Sequence, residues 1–117
     1  MIIRKQKNDR MSRIVEHNGT IYFAGIVSDD KTLDIKGQAS RAIQIAQERF
    51  DEANTNKNNL LRAEIFVKDI DRDFAGFNEI WDAWVSKENP PARACVEANM
   101  ASEATLVEIV FTAASVE

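Results

Sequence analysis

The stretch NPPARACVEANM, residues 89–100, changes character at its middle. Pro90 and Pro91 cannot donate backbone hydrogen bonds and so end whatever precedes them. An alternating run follows, with Arg93, Cys95 and Glu97 on one side and Ala94, Val96 and Ala98 on the other. A period of two is that of a β-strand. The strand therefore aims a guanidinium, the chain's single thiol and a carboxylate in one direction. One cysteine cannot close an internal disulfide, so packing alone must hold the fold.

Upstream, the pattern switches twice between periods of two and of about 3.6. The segments IIRKQ (2–6), SRIVEH (12–17) and TIYFAGIV (20–27) read as strands, and Asn18-Gly19 between the last two is a hairpin signal. From Asp34 to Ala53 the apolar residues Ile35, Ala39, Ala42, Ile43, Ala46, Phe50 and Ala53 form one stripe, which predicts an amphipathic helix stopped by NTNKNN. LLRAEIFVKDI (60–70) is a further strand. Asp71 or Asp73 is expected to cap a second helix carrying Phe74, Phe77, Ile80, Trp81, Trp84 and Val85 on one side. Asn78 lies on that apolar side and needs a partner, in a loop or in a ligand.

Downstream, TLVEIVFTAA (105–114) reads as a last strand in which Glu108 interrupts an apolar run. A carboxylate there is costly unless it is paired. The short ASEA link (101–104) predicts that the last two strands are antiparallel neighbours, which brings Glu108 toward Arg93 or Cys95. The order of strands, helix, strand, helix and strands predicts one α+β sandwich domain over 1–117, its helices layered on one sheet face.

The net charge of −4 gives no general attraction to polyanions. The nearest basic set, Arg4, Lys5, Lys7, Arg10 and Arg13, fits a solvated first strand and loop better than an RNA contact. The N-terminus lacks an apolar core of signal-peptide length and no stretch approaches a membrane span, so a cytoplasmic location is expected. His17 stands beside a turn, Cys95 has no evident histidine base, and neither a zinc-ligand cluster nor a glycine-rich phosphate loop is legible. Two readings of Arg93 and Glu108 remain. In one, Arg93 pairs with Glu97 or Glu108 and braces the sheet. In the other, the planar arginine fork holds a small carboxylic acid while the glutamate moves a proton to or from water.

PPARACVEA (90–98) followed by LVEIVFTA (106–113), with FVKDIDRDFAGFNEIWDAW (66–84) and IYFAGIV (21–27) upstream, resembles the Rid family of reactive enamine and imine deaminases. This is the YjgF group, also called endoribonuclease L-PSP. The resemblance covers nearly the whole chain and implies a chorismate-mutase-like fold, with a mixed sheet and two helices on one face. It also implies a homotrimer with clefts between subunits. The activity it implies is hydrolysis of 2-iminobutanoate, 2-iminopropanoate and related imino acids to 2-oxo acids and ammonia, without a metal or organic cofactor. Arg93 matches the family's carboxylate-binding arginine and Glu108 its water-activating glutamate. Cys95 and Asn78 match cleft positions, and Gly25 matches a glycine whose backbone amide lies near the ligand. Two positions depart from the pattern. Met11 stands where a tyrosine is common and Ala24 where a serine is common, which points to a bulkier or more apolar imine. The same departures motivate an alternative, a non-catalytic trimer that binds small carboxylates or regulates a partner. The ribonuclease implied by the older family name fits poorly with an acidic chain that has one histidine.

Overall fold

The computed structural model describes residues 1–116. Six strands and two helices follow in the order β1 (Ile2–Lys7), β2 (Ser12–His17), β3 (Thr20–Phe23), α1 (Ile35–Glu52), β4 (Leu60–Val67), α2 (Ile70–Trp84), β5 (Ala92–Glu97) and β6 (Val107–Ala114), with a short 3-10 turn at Lys57–Asn59. The sheet order is β1-β2-β3-β6-β4-β5. The first three strands form an antiparallel meander whose second turn, between β2 and β3, is made by Asn18 and Gly19, both at positive φ. This is the left-handed geometry a two-residue hairpin needs.

Contrary to the expectation from the short ASEA link, β5 and β6 are not neighbours: β4 runs between them, parallel to β5 and antiparallel to β6. The reason is α2. A helix returning the chain to the same end of the sheet makes the next strand parallel to the one before it, the βαβ arrangement. β6 then enters on the other side of β4, where it also pairs with β3.

Two element boundaries differ from the sequence reading. Strand β4 stops at Val67, and Asp69, not Asp71 or Asp73, caps α2 by accepting from Arg72 N. Asp73 is buried and held by Arg72 through two hydrogen bonds of 3.0 and 2.8 Å. Strand β3 stops at Phe23 instead of Val27. Between the pairs Tyr22↔Thr112 and Ile26↔Ile109 the first segment has three residues, Phe23 to Gly25, and the second only two, Phe111 and Val110. That extra residue is a bulge, which interrupts the ladder and re-aims the chain.

Both helices cover one face. Asp34 caps α1 by accepting from Gly37 N, and Asn54 at φ 59 ends it in the left-handed region that asparagine tolerates. The core is aromatic at its centre: Phe50 meets Phe23 and Phe111 edge-on at 5.2 and 5.3 Å, and Phe111 stacks on Trp81 at 6.2 Å. Gln38, fully buried on α1, is tied by its amide to Leu33 O, Ala104 O and Leu106 N. Three hydrogen bonds satisfy a group that would otherwise be costly to bury. They also fix the start of β6, and with it the height of Glu108 in the sheet.

Candidate functional site

Residues paired across a sheet share a face. Arg93 pairs with Ala63, and Ala63 with Phe111; Cys95 pairs with Ile65, and Ile65 with Ile109. All of these partners are buried under the helices, so Arg93 and Cys95 project on the helix side. Glu108 pairs with Phe66, and Phe66 with Val96, on the side the helices leave open. The arginine and the glutamate therefore lie on opposite faces of one chain's sheet, with β4 between their strands.

The bracing ion pair is not formed. Among the described residues Arg93 has no carboxylate within salt-bridge distance. Its guanidinium rests instead over the rings of Trp81 and Phe77, at 5.5 and 6.0 Å from their centroids. Cation–π contact holds the side chain in place without using its in-plane donors. Glu97, the other proposed partner, accepts a hydrogen bond from Ile70 N at 3.0 Å. Together with Asp69 it satisfies first-turn amides of α2 and complements the positive end of the helix.

Cys95 is half-buried and lines a mainly apolar cleft of about 500 Å³ with Ile70, Asp71, Phe74 and Ala75. Burial pushes its thiol pKa up, against the weaker opposing effect of Arg93's charge. A thiol raised in this way stays protonated at neutral pH and is a poor nucleophile. Alkylation of Cys95 by iodoacetamide at pH 7.5 should accordingly be slower than that of a free thiol in solution. A rate equal to or above the free thiol's would mean that the cleft favours the thiolate. Asn78, on the same helix as Phe74, has its Oδ1 buried with no hydrogen-bond partner. That amide does not brace a loop through its oxygen.

The opposite face holds Glu108, and Gly25 lies against it. Gly25 packs so closely on Glu108 that a Cβ added there would lie 1.9 Å from Oε2 and 2.9 Å from Cδ. Its φ is not in the left-handed range, so the close approach, not the backbone, demands glycine. The bulge makes this contact possible by turning residue 25 toward the carboxylate. Ala24 N donates to Arg13 O, and Met11 shares a cleft with Gly25. Of the seven predicted site residues, Arg93, Cys95 and Asn78 thus lie on the helix side and Glu108, with Gly25 against it, on the open side, while Ala24 sits in the bulge before Gly25 and Met11 lines a cleft that Gly25 shares with Arg41, Glu48 and Arg49 of α1.

His17 is exposed at the hairpin, within hydrogen-bond distance of Met1 O and the Asn18 amide. No group of three or more His, Cys, Asp or Glu converges among the described residues, and no helix there is long and apolar enough to cross a membrane.

Two half-sites built from P-A-R-A-C-V-E and V-E-I, on this strand order, invite comparison with known proteins. Residues 4–115 match the family described as endoribonuclease L-PSP. The chain belongs to this family, the YjgF or Rid group. A RutC family protein of Haemophilus ducreyi is 35% identical over 97% of both chains, and the RutC family protein YoaB of Escherichia coli is 34% identical over 97% of both. Among solved structures, a YjgF family member from Neisseria meningitidis superposes with a TM-score of 0.96 at 32% identity, covering 100% of this chain and 97% of that one. The fold is the chorismate-mutase-like sandwich of that family, two helices on a mixed six-stranded sheet.

Arg13 and Arg49 were not singled out as site residues by their sequence pattern. Both line the cleft that contains Met11 and Gly25, on a strand start and on the last turn of α1. Lone arginines on solvated faces carry no periodic signal, so nothing in the sequence pairs them.

Proposed function

We propose that this member of the family is a deaminase of reactive imines, hydrolysing 2-imino acids and their enamine tautomers to 2-oxo acids and ammonia at a site shared by two copies of the chain. The observation that carries this reading is the half-buried Arg93, unpaired with a carboxylate among the described residues and preset over two rings, on the face opposite Glu108. Neither half is complete in one chain. The family resemblance supplies the missing partner, a homotrimer whose clefts lie between subunits. The open sheet face, with Tyr22 and Val96 about half exposed, is the surface such an assembly would cover.

In the shared site Arg93 binds the substrate carboxylate with its planar fork and turns the imine carbon toward the neighbouring copy. Glu108 of that copy takes a proton from water as the oxygen attacks the C=N carbon. Glu108 returns that proton to the nitrogen, giving the carbinolamine; the hydroxyl proton then passes to the amine as the C–N bond breaks and the C=O bond forms, and ammonia leaves. The chain supplies orientation and proton transfer, and no step requires a metal or cofactor. Cys95 and Asn78 line the arginine side of the ligand.

Mixing two disabled chains tests both the reaction and the shared site. Arg93→Ala and Glu108→Gln chains, each inactive alone, are co-refolded in equal amounts. If each site takes one residue from each neighbour, about a quarter of the sites combine an intact arginine with an intact glutamate and activity returns to that level. A mixture as inactive as its components would place both residues' work within one chain and overturn the shared site. Tight binding of 2-oxo acids by wild type, with no acceleration of ammonia release from fresh imino acids, would select the non-catalytic carboxylate-binding alternative.

A further inference from the structure

The proposed reaction leaves a concentration of positive charge unused. Between α1 and the segments around Met11 and Gly25 lies a cleft of about 460 Å³. Its lining holds four cations, Arg13, Lys31, Arg41 and Arg49, and two carboxylates, Asp29 and Glu48. The local excess is two positive charges, in a chain whose net charge is −4. Two of the four cations are engaged. Arg41 makes a two-pronged contact with Asp29 at 2.8 and 2.9 Å, and Lys31 donates to Ser28 O at 2.6 Å. Among the described residues Arg13 and Arg49 have no carboxylate within salt-bridge distance. Both are half-buried, and they are near enough to repel each other: burial first and Arg13's charge second lower the pKa of Arg49, against the weaker opposing effect of the Glu48 carboxylate.

A cleft with two excess positive charges, in which two guanidiniums are outside any ion pair among the described residues, is a receptor for an anion. The position of the cleft tells whose. Gly25 belongs to it and also packs against the Glu108 carboxylate, so the cleft adjoins the glutamate side of the proposed site. We infer that Arg13 and Arg49 form a distal anion subsite for a second carboxylate on the substrate, and that imino dicarboxylic acids, the imines of acidic amino acids, are its preferred substrate class. This inference rests on the proposed function, in which Arg93 holds the first carboxylate. It replaces the apolar imine suggested by Met11 and Ala24: where other family members present hydroxyls, this chain presents two charges nearby.

The test compares two product-like acids of equal chain length, 2-oxopentanedioate and 2-oxopentanoate, by titration calorimetry with the assembled protein. The dicarboxylate is expected to bind about tenfold more tightly or better, the effect of one added charge-assisted contact, and its advantage should shrink as salt rises. Arg13→Gln and Arg49→Gln together should bring the ratio of affinities near one, and Arg49→Lys should keep much of it. Equal affinities in wild type, or a ratio that survives the double substitution, overturns the subsite. Arg93→Ala should weaken both acids and leave the ratio in place. Affinities unmoved by Arg93→Ala would overturn the carboxylate clamp while leaving the ratio to judge the subsite. Failure of wild type to bind either acid overturns both.

Discussion

Arg93→Ala is expected to lower kcat/KM for imino acid hydrolysis about 100-fold or more while leaving the protein folded. A bidentate arginine–carboxylate contact provides two charge-assisted hydrogen bonds at roughly 1.5–3 kcal/mol each, and 1.4 kcal/mol is a factor of ten. The stability cost is smaller. Among the described residues Arg93 has no carboxylate partner to strand, and the substitution loses its contact with Trp81 and Phe77, on the order of 0.5–1 kcal/mol at a partly exposed site. Arg93→Lys separates charge from shape: an ammonium keeps the contact with the rings but cannot offer two parallel donors, so its activity should fall between wild type and alanine. The measurements are initial rates with freshly generated imino acid and urea unfolding of the same preparations. Unchanged rates in Arg93→Ala, or a loss fully explained by unfolding, would remove Arg93 from the reaction.

Gly25→Ala is expected to be nearly as damaging to turnover, by steric means alone. The new methyl would sit 1.9 Å from Oε2 of Glu108, so the carboxylate must swing away. The atom displaced is the end of a flexible side chain and Gly25 itself is exposed, so the fold should tolerate the change with little loss of stability. A catalytic base misplaced by about 1 Å costs roughly 100-fold in rate. Glu108→Gln should cost at least as much, within the roughly 10²–10⁴ range of general-base catalysis. The two should not add, because the second change removes a group that the first has already displaced. Wild-type turnover by a well-folded Gly25→Ala protein would mean that Glu108 does no chemistry from its present position. Additive losses would give Gly25 a role of its own.

Much of the architecture is legible along the chain because it is set by local periodicity. The 34–53 stripe, the Asn18-Gly19 turn and the alternation of residues 92–97 each appear where expected. The misplaced features share a cause. The α2 cap lies at Asp69, and Glu97, distant in sequence, satisfies a second amide at the same helix end. The break in β3 depends on how β6 pairs with it, which no residue of IYFAGIV announces on its own. The ASEA link suggested adjacency from its length, yet a strand chooses its partner by the edge left open, and α2 had already placed β5 on the outer side of β4.

The residue types and their alternation determined by themselves that a guanidinium and a thiol share one side of a strand and that a carboxylate interrupts another, and the stretches PPARACVEA and LVEIVFTA carried the resemblance to the Rid proteins. Only the tertiary structure decided that Arg93 and Glu108 face away from each other, that Gly25 is pressed onto the carboxylate, and that Arg13 and Arg49 meet in one cleft. Side-chain period is a property of neighbouring residues, so it can be read from the sequence. Which faces and strands come together depends on crossovers and bulges set by contacts between residues far apart in the chain.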